Sequence, residues 1–539
     1  MQEWAESFWG RSWRAGLRTA TLAKPVVLLS WFRSWVRRAG GRPAFSRGRP
    51  RAVLLARVLL ASTVLLVAGC ASLTITDTKP LSPDQLNPPG SVSISRVGYR
   101  VNVASERTDA PGLLVLVAFS GGGKRSAAFG YGAIKGMRDV TVPTPSGPRP
   151  LLNEITVMSG VSGGSFPAAY YALYRDSAFG KFEQDFLYRN TTSNIYGIYL
   201  LPWNWTWLVD PNVGTNDFMA RVYDGTMFHG ATFADLQQRG PPVVAIGATD
   251  ISYGTAFLFT QEFFDLICSD LSAFPVARAL AASNGFPGLF SPITLTSHTR
   301  DCGGRKPQWV TAVTPEQMKN PLSRVGQTAR IVDHYLDPNK TTYVHLVDGG
   351  VADNLALRAI ASMQQAVTRE TLKQRGFNKI RRVLIMSIDG EGTEDTALAH
   401  QKVVLGLLRM ILQASGAQID RYGFETLIAV TEQLNEFSNA IAAARCAEGP
   451  VIDGTPCGDV KAQLLHMSLA NSSEGPNKDK LLAIPTGLTI PREDVDLLIQ
   501  VGHDAITSST ELRNFLGDYS PAPLSPATHS GRAGRVAAR

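Results

Sequence analysis

The stretch "TVMSGVSGGSFPAAYYALY" (156–174) sets one hydroxyl, Ser162, among Gly160, Gly163 and Gly164. An apolar, β-branched run precedes it, and an alanine- and aromatic-rich run follows. Glycine costs conformational entropy in a strand or a helix, so this cluster serves something other than packing. Gly160-Val161-Ser162-Gly163-Gly164 fits G-x-S-x-G, a pattern that sets a serine on a sharp strand-to-helix turn with its hydroxyl pushed outward. A helix opening at about Gly163 aims its first amides at that site, where negative charge is favoured.

Working outward, the same arrangement recurs. "GLLVLVAFS" (112–120) is a wholly apolar run that ends in Gly121-Gly122-Gly123 and is followed by small and apolar residues over 127–137. A short, continuous apolar run predicts a strand buried on both faces, as in a parallel sheet. Further strands are expected at 154–160, 242–250, 255–260, 342–350 and 380–390, with helices at 273–283, 355–369 and about 397–445. Strands alternating with helices predict an α/β fold with a mostly parallel central sheet flanked by helices. No internal repeat interrupts the pattern.

Two further motifs carry chemistry. The triplet Gly121-Gly122-Gly123 between strand and helix presents successive backbone N–H groups, a nest for phosphate or for an oxyanion. It lacks the full spacing of a P-loop and the register of a dinucleotide fingerprint. Asp348-Gly349-Gly350 follows the run "YVHLV", so a carboxylate stands at a strand end, where it can accept a proton from a serine. Alone, Asp-Gly-Gly is equally a favoured turn. A Ser-His-Asp triad would need a histidine after the serine and the acid; His400, His466, His503 and His529 are available, but none lies in a Gly-rich strand-end loop. His345 falls inside the expected strand. No CxxC or HExxH spacing suggests a metal.

The chain has 539 residues, 44% hydrophobic and 18% charged, which suits a globular protein with a sizeable core. Its net charge of +8 is not spread evenly. Twelve basic and two acidic residues precede Cys70, leaving 41 basic against 43 acidic residues downstream, a balance of −2. With no basic stripe in the body, nucleic acid is not the expected partner.

The leader (1–69) has Arg47, Arg49, Arg51 and Arg57 ahead of an apolar run from Val58 to Ala68, the plan of a secretory signal peptide. That run is shorter than a membrane span. Leu66-Val67-Ala68-Gly69-Cys70 resembles the lipobox of bacterial lipoproteins, which implies cleavage before Cys70, its acylation and a membrane anchor. Ser72 is not the aspartate associated with inner-membrane retention, so an exported cell-envelope protein, more outer- than inner-membrane, is expected. The first fifty residues hold five of the nine tryptophans; a later translational start or a long basic extension would each account for them. Residues 70–95, rich in Pro, Ser and Thr, are expected to form a lipidated tether. The catalytic body is expected over 96–395, a mainly helical region over 396–518 and a disordered tail over 519–539. Cys446 and Cys457 flank "AEGPVIDGTP" and are the candidate pair for a disulfide-closed loop in an oxidising compartment.

Taken in order, the glycine triplet with a basic residue at Arg125, the G-x-S-x-G turn and the downstream Asp-Gly-Gly resemble the patatin-like phospholipase family. "ARALAASNGFPGLFSPITL" (277–295) is similar to the family's Ala/Ser-rich segment before a Phe-Pro turn, and 484–506 to its C-terminal part. The resemblance implies a serine–aspartate dyad without cofactor or metal. Ser162 would attack an acyl ester and Asp348 would take its proton. The amides of Gly121, Gly122 and Gly123 would hold the oxyanion, with Arg125, Gly160, Gly164 and Gly349 in support. Ser126 departs from the family, which commonly has glycine there. A lipid ester, first a phospholipid, is the expected substrate. The rivals are an acyltransferase using the same acyl-serine and a non-catalytic surface lipoprotein that binds lipid or a partner. "IYGIYLLPWNWTWLV" (195–209) reads either as an apolar lid or interfacial patch, or as an insertion buried beside the core.

Overall fold

The computed structural model describes residues 77–519, apart from 101–109, 202–203, 206–212, 359–371, 373–375, 392–401, 403–406 and 473–477. The leader, Cys70, the tail beyond Tyr519 and most of the helix expected at 355–369 lie outside the described residues. The strands are β1 (Leu113–Phe119), β2 (Ile155–Val161), β3 (Val243–Asp250), β4 (Thr255–Phe259), β5 (Ile293–Thr296), β6 (Tyr343–Asp348), β7 (Arg382–Asp389) and β8 (Lys461–Ser468). The helices used below are α1 (Gly123–Asp139), α2 (Ser165–Tyr174), α3 (Thr192–Leu200), α4 (Thr215–Tyr223), α5 (Val276–Ser283), α6 (Leu407–Cys446) and α7 (Arg492–Thr507).

The strands form one eight-stranded sheet in the order β8-β7-β1-β2-β3-β6-β5, with β4 paired to β3. From β8 to β3 every pairing is parallel. β6 is antiparallel to β3 and β5, and β4 is antiparallel to β3. All residues of β1, β2, β3 and β7 are buried. Continuous apolar runs become central strands because helices cover both sheet faces and leave no side chain for water. The expected α/β class, with its mostly parallel sheet, is the observed one.

Two expectations change. Residues 77–95 do not form a free tether. Leu81, Leu86 and Ile94 are buried in a small cluster with Cys268 and Cys302, and Lys79–Pro80 pairs with Ser269–Asp270. The Ser95 hydroxyl donates to the Asp265 carboxylate at 2.6 Å. The apolar residues interleaved with the prolines and serines hold the segment against the body. The C-terminal region is helical but not separate from the rest of the body. Its strand β8 extends the sheet beyond β7, and α7 lies on α1. A Cβ on Gly132 would come within 2.1 Å of the Ile499 carbonyl oxygen, and one on Gly502 within 2.1 Å of that of Phe129. The small residues of α1 thus allow close backbone approach to α7.

Candidate active site

β2 ends at Val161, and the chain turns at once into a short 3₁₀ segment, Ser162–Gly164, and then α2. Ser162 sits at φ +49°, a left-handed conformation that costs a non-glycine residue about 1–3 kcal/mol and persists only where its surroundings enforce it. The glycines make the turn possible by their size. A Cβ on Gly163 would lie 1.9 Å from the Gly123 carbonyl oxygen, and one on Gly164 2.3 Å from that of Ser120. The two Gly-rich turns after β1 and β2 therefore pack backbone against backbone.

Asp348 reaches the serine by sheet register. Val161 pairs with Gly247, and Asp348 pairs with the next residue, Ala248. β6 runs antiparallel, so its last residue ends level with the end of β2. Ser162 Oγ donates to Asp348 Oδ2 at 2.8 Å across 186 positions of sequence. The other carboxylate oxygen, Oδ1, accepts from the Gly350 N–H at 2.8 Å. Burial away from water pushes the Asp348 carboxyl up to about 6, against the downward pull of the Gly350 and Ser162 hydrogen bonds. Gly349 is packed so tightly that a Cβ would meet the Gly247 carbonyl oxygen at 2.3 Å.

The segment after α5 ties these two residues together. The Ser162 N–H donates to Ser283 Oγ at 2.8 Å, and the Ser283 hydroxyl donates to the Gly247 carbonyl at 2.6 Å. The Gly349 N–H donates to the Ser283 carbonyl, and the Asp348 N–H to the Gly285 carbonyl, each at 3.0 Å. Asn284 Oδ1 lies 3.1 Å from Ser162 Oγ, and Asn284 Nδ2 lies 3.1 Å from the Tyr223 hydroxyl on α4. Nothing in the sequence alone singles out Ser283 or Asn284. Their signal was confined to a short Ala/Ser-rich segment with no spacing relation to Ser162.

The glycine triplet stands beside the serine: a Cβ on Gly121 would be 3.4 Å from Ser162 Cβ. Its expected role needs correction at one position. The Gly121 N–H donates to the Asn354 carbonyl at 2.9 Å, so that amide is committed to holding the turn. Gly122 and Gly123, at φ +130° and +61°, open α1, where the first N–H groups have no intrahelical acceptor. Arg125 is a strut: its guanidinium donates to the carbonyls of Gly390 at 2.7 Å and Ile484 at 2.8 Å. Ser126 fits where glycine was expected, its hydroxyl donating to the Ser120 carbonyl at 2.6 Å.

Beyond this centre, His345 stays on its strand with Nδ1 3.0 Å from Thr294 Oγ1. The aromatic segment begins as α3, where Ile198 is buried while Tyr196 and Leu200 are exposed, as are Leu201 and Trp205 beyond the helix. Cys446 and Cys457 are bridged, and so are Cys268 and Cys302, a pair the sequence did not single out. Among the described residues no helix is long and apolar enough to cross a membrane.

Residues 117–361 match the family model of the patatin-like phospholipase. No curated protein matches the chain. Among solved structures it is similar to human GIVD cytosolic phospholipase A2, at 12% identity and TM-score 0.40, over 76% of this chain and 63% of that one. The same human protein in complex with methyl gamma-linolenyl fluorophosphonate and terbium chloride is similar at 12% identity and TM-score 0.37, over 80% of this chain and 66% of that one. VipD from Legionella pneumophila is similar at 11% identity and TM-score 0.26, over 79% of this chain and 71% of that one. The chain thus spans about two thirds of the length of the human enzyme.

Proposed function

We propose that this chain, with its patatin-like phospholipase domain, hydrolyses acyl esters of lipids, phospholipids first among them. The observation that carries the reading is the buried 2.8 Å hydrogen bond from Ser162 Oγ to Asp348 Oδ2. Asp348 takes the Ser162 proton as Oγ attacks the ester carbonyl. The amides of Gly122 and Gly123 face the oxyanion that develops. Collapse expels the alcohol, protonated by Asp348, and leaves an acyl-serine. Water, deprotonated by Asp348, then releases the fatty acid and restores Ser162. A base near 6 suits this work: it is ionised at neutral pH, yet basic enough to accept a proton. The exposed apolar side chains of α3 and Trp205 offer a surface for acyl chains or for lipid. An acceptor alcohol in place of water would make the same acyl-serine a transferase intermediate.

We also propose that the chain is an exported lipoprotein of the bacterial cell envelope, anchored through Cys70. The two disulfides support an oxidising compartment.

The test is product analysis on a mixed phospholipid extract. Free fatty acid and lysophospholipid should appear with the native protein and fall by several orders of magnitude with Ser162→Ala. Undiminished release by Ser162→Ala would overturn the assignment. Product that carries the acyl chain on another alcohol would identify a transferase.

A further inference from the structure

Asn284 touches the nucleophile, and the mechanism above gives it no task. Its environment decides which way its amide points. Ser162 Oγ carries one proton, and two acceptors stand within reach of it: Asp348 Oδ2 at 2.8 Å and Asn284 Oδ1 at 3.1 Å. A hydroxyl donates once. With the amide oxygen toward Ser162, two oxygens compete for one hydrogen. The Tyr223 phenol then only accepts, from Asn284 Nδ2 at 3.1 Å. Tyr223 is buried, and burial raises its pKa so that it keeps its proton. Among the described residues that proton has no other acceptor. Turning the amide end for end removes both conflicts. The Tyr223 O–H donates to Asn284 Oδ1, Asn284 Nδ2–H donates to Ser162 Oγ, and Ser162 O–H donates to Asp348 Oδ2. Buried polar groups are rarely left unpaired, and this arrangement gives the Tyr223 proton, the Asn284 amide oxygen and the Ser162 proton one partner each.

We propose that Asn284 is a further catalytic residue, a neutral donor that holds the negative charge on Ser162 Oγ, and that Tyr223 is the positioning residue that fixes its amide. This rests on the Ser162–Asp348 reading. In acylation the proton leaves Oγ for Asp348 Oδ2, and the electron pair that stays on Oγ forms the new bond to the carbonyl carbon. In deacylation that bond breaks, the pair returns to Oγ, and Asp348 gives the proton back. The Asn284 N–H meets Oγ at both moments, when its charge is greatest. It does for the serine oxygen what the Gly122 and Gly123 amides do for the carbonyl oxygen, and it needs no histidine. Asn284 and Tyr223 are both buried, so water does not compete for the donor.

The experiment measures ester turnover against pH for the native protein, Asn284→Ala, Asn284→Asp and Tyr223→Phe, with melting temperatures alongside. Native turnover that survives Ser162→Ala would bring down the parent reading, and this one with it. With the parent reading intact, Asn284→Ala should lower kcat about 100-fold with KM little changed, as loss of a preorganised donor does. Asn284→Asp should lose at least as much and move the acid limb upward, because a second carboxylate beside Asp348 opposes its ionisation. Tyr223→Phe should lower kcat about tenfold through the unfixed amide, again with KM unchanged. An Asn284→Ala protein that turns over like the native one would show that the amide oxygen faces Ser162 and overturn the proposal. Full activity in Asn284→Asp would do the same.

Discussion

Replacing Asp348 by asparagine should destroy activity and stabilise the fold, and the second effect can be worked from the structure. The Asp348 carboxyl is buried and pushed from 3.8 up to about 6. A raised carboxylate pKa means that the folded state holds its proton where the unfolded chain has lost it. Between pH 4 and pH 6 the native protein therefore binds more protons, and stability falls as pH rises through that window. A shift of about two units corresponds to about 3 kcal/mol of destabilisation at pH 7, fully developed above the folded pKa and absent below pH 4. Asparagine carries no charge to bury and should recover this. It also disturbs the hydrogen bonds to Gly350 N–H and Ser162 Oγ, at a cost of about 1 kcal/mol, so about 2 kcal/mol of net stabilisation remains at pH 7. Urea denaturation of both proteins from pH 4 to pH 8 measures it. The difference between them should grow from pH 4 to pH 6 and then level off. A variant no more stable than the native protein at pH 7, with a difference independent of pH, would refute the argument that this carboxylate is held away from water.

Three further outcomes follow from the same geometry. Because Asp348 must be ionised to accept a proton, kcat/KM should halve near pH 6 and drop to about a tenth at pH 5, the fraction of a base of that pKa still unprotonated; a midpoint near 4 would mean an ordinary, solvated carboxylate. Ser283→Ala removes the acceptor of the Ser162 N–H and the donor to the Gly247 carbonyl; it should cost about 1–3 kcal/mol of stability, read by denaturation, and lower kcat. Cys446→Ser with Cys457→Ser opens an 11-residue separation and should cost about 2–3 kcal/mol, seen as a lower melting temperature under non-reducing conditions.

Several features were legible in sequence because their signal is local. A short apolar run that ends in glycines predicts a strand covered on both faces, and β1 and β2 are buried along their whole length. Ser162 stands out because strand, glycines and helix are adjacent in the chain. Asp348 is marked by its turn, although the reason it meets Ser162 is not local: β6 runs antiparallel beside β3 and ends level with the end of β2, which no run of residues announces. The rest depends on contacts between distant segments. Ser283 and Asn284 act on a residue more than a hundred positions upstream. The Gly121 amide is consumed by Asn354, which follows the Asp348 turn. The apolar residues at 81, 86 and 94 are too sparse to show a period, yet they are buried. The edge strand β8, half-exposed over its first half, alternates too weakly to announce itself between α6 and α7. Cys268 and Cys302 have no special spacing, and only folding brings their Cα atoms to 5.8 Å.

The proposed activity requires Ser162 to be a nucleophile made reactive by Asp348. A fluorophosphonate ester added to the folded protein, followed by intact-mass and peptide mass spectrometry, asks this directly. One phosphonyl adduct on Ser162, absent from Ser162→Ala and formed far more slowly in Asp348→Asn, is the predicted result. An unlabelled native protein, or labelling that survives in Ser162→Ala, would contradict it.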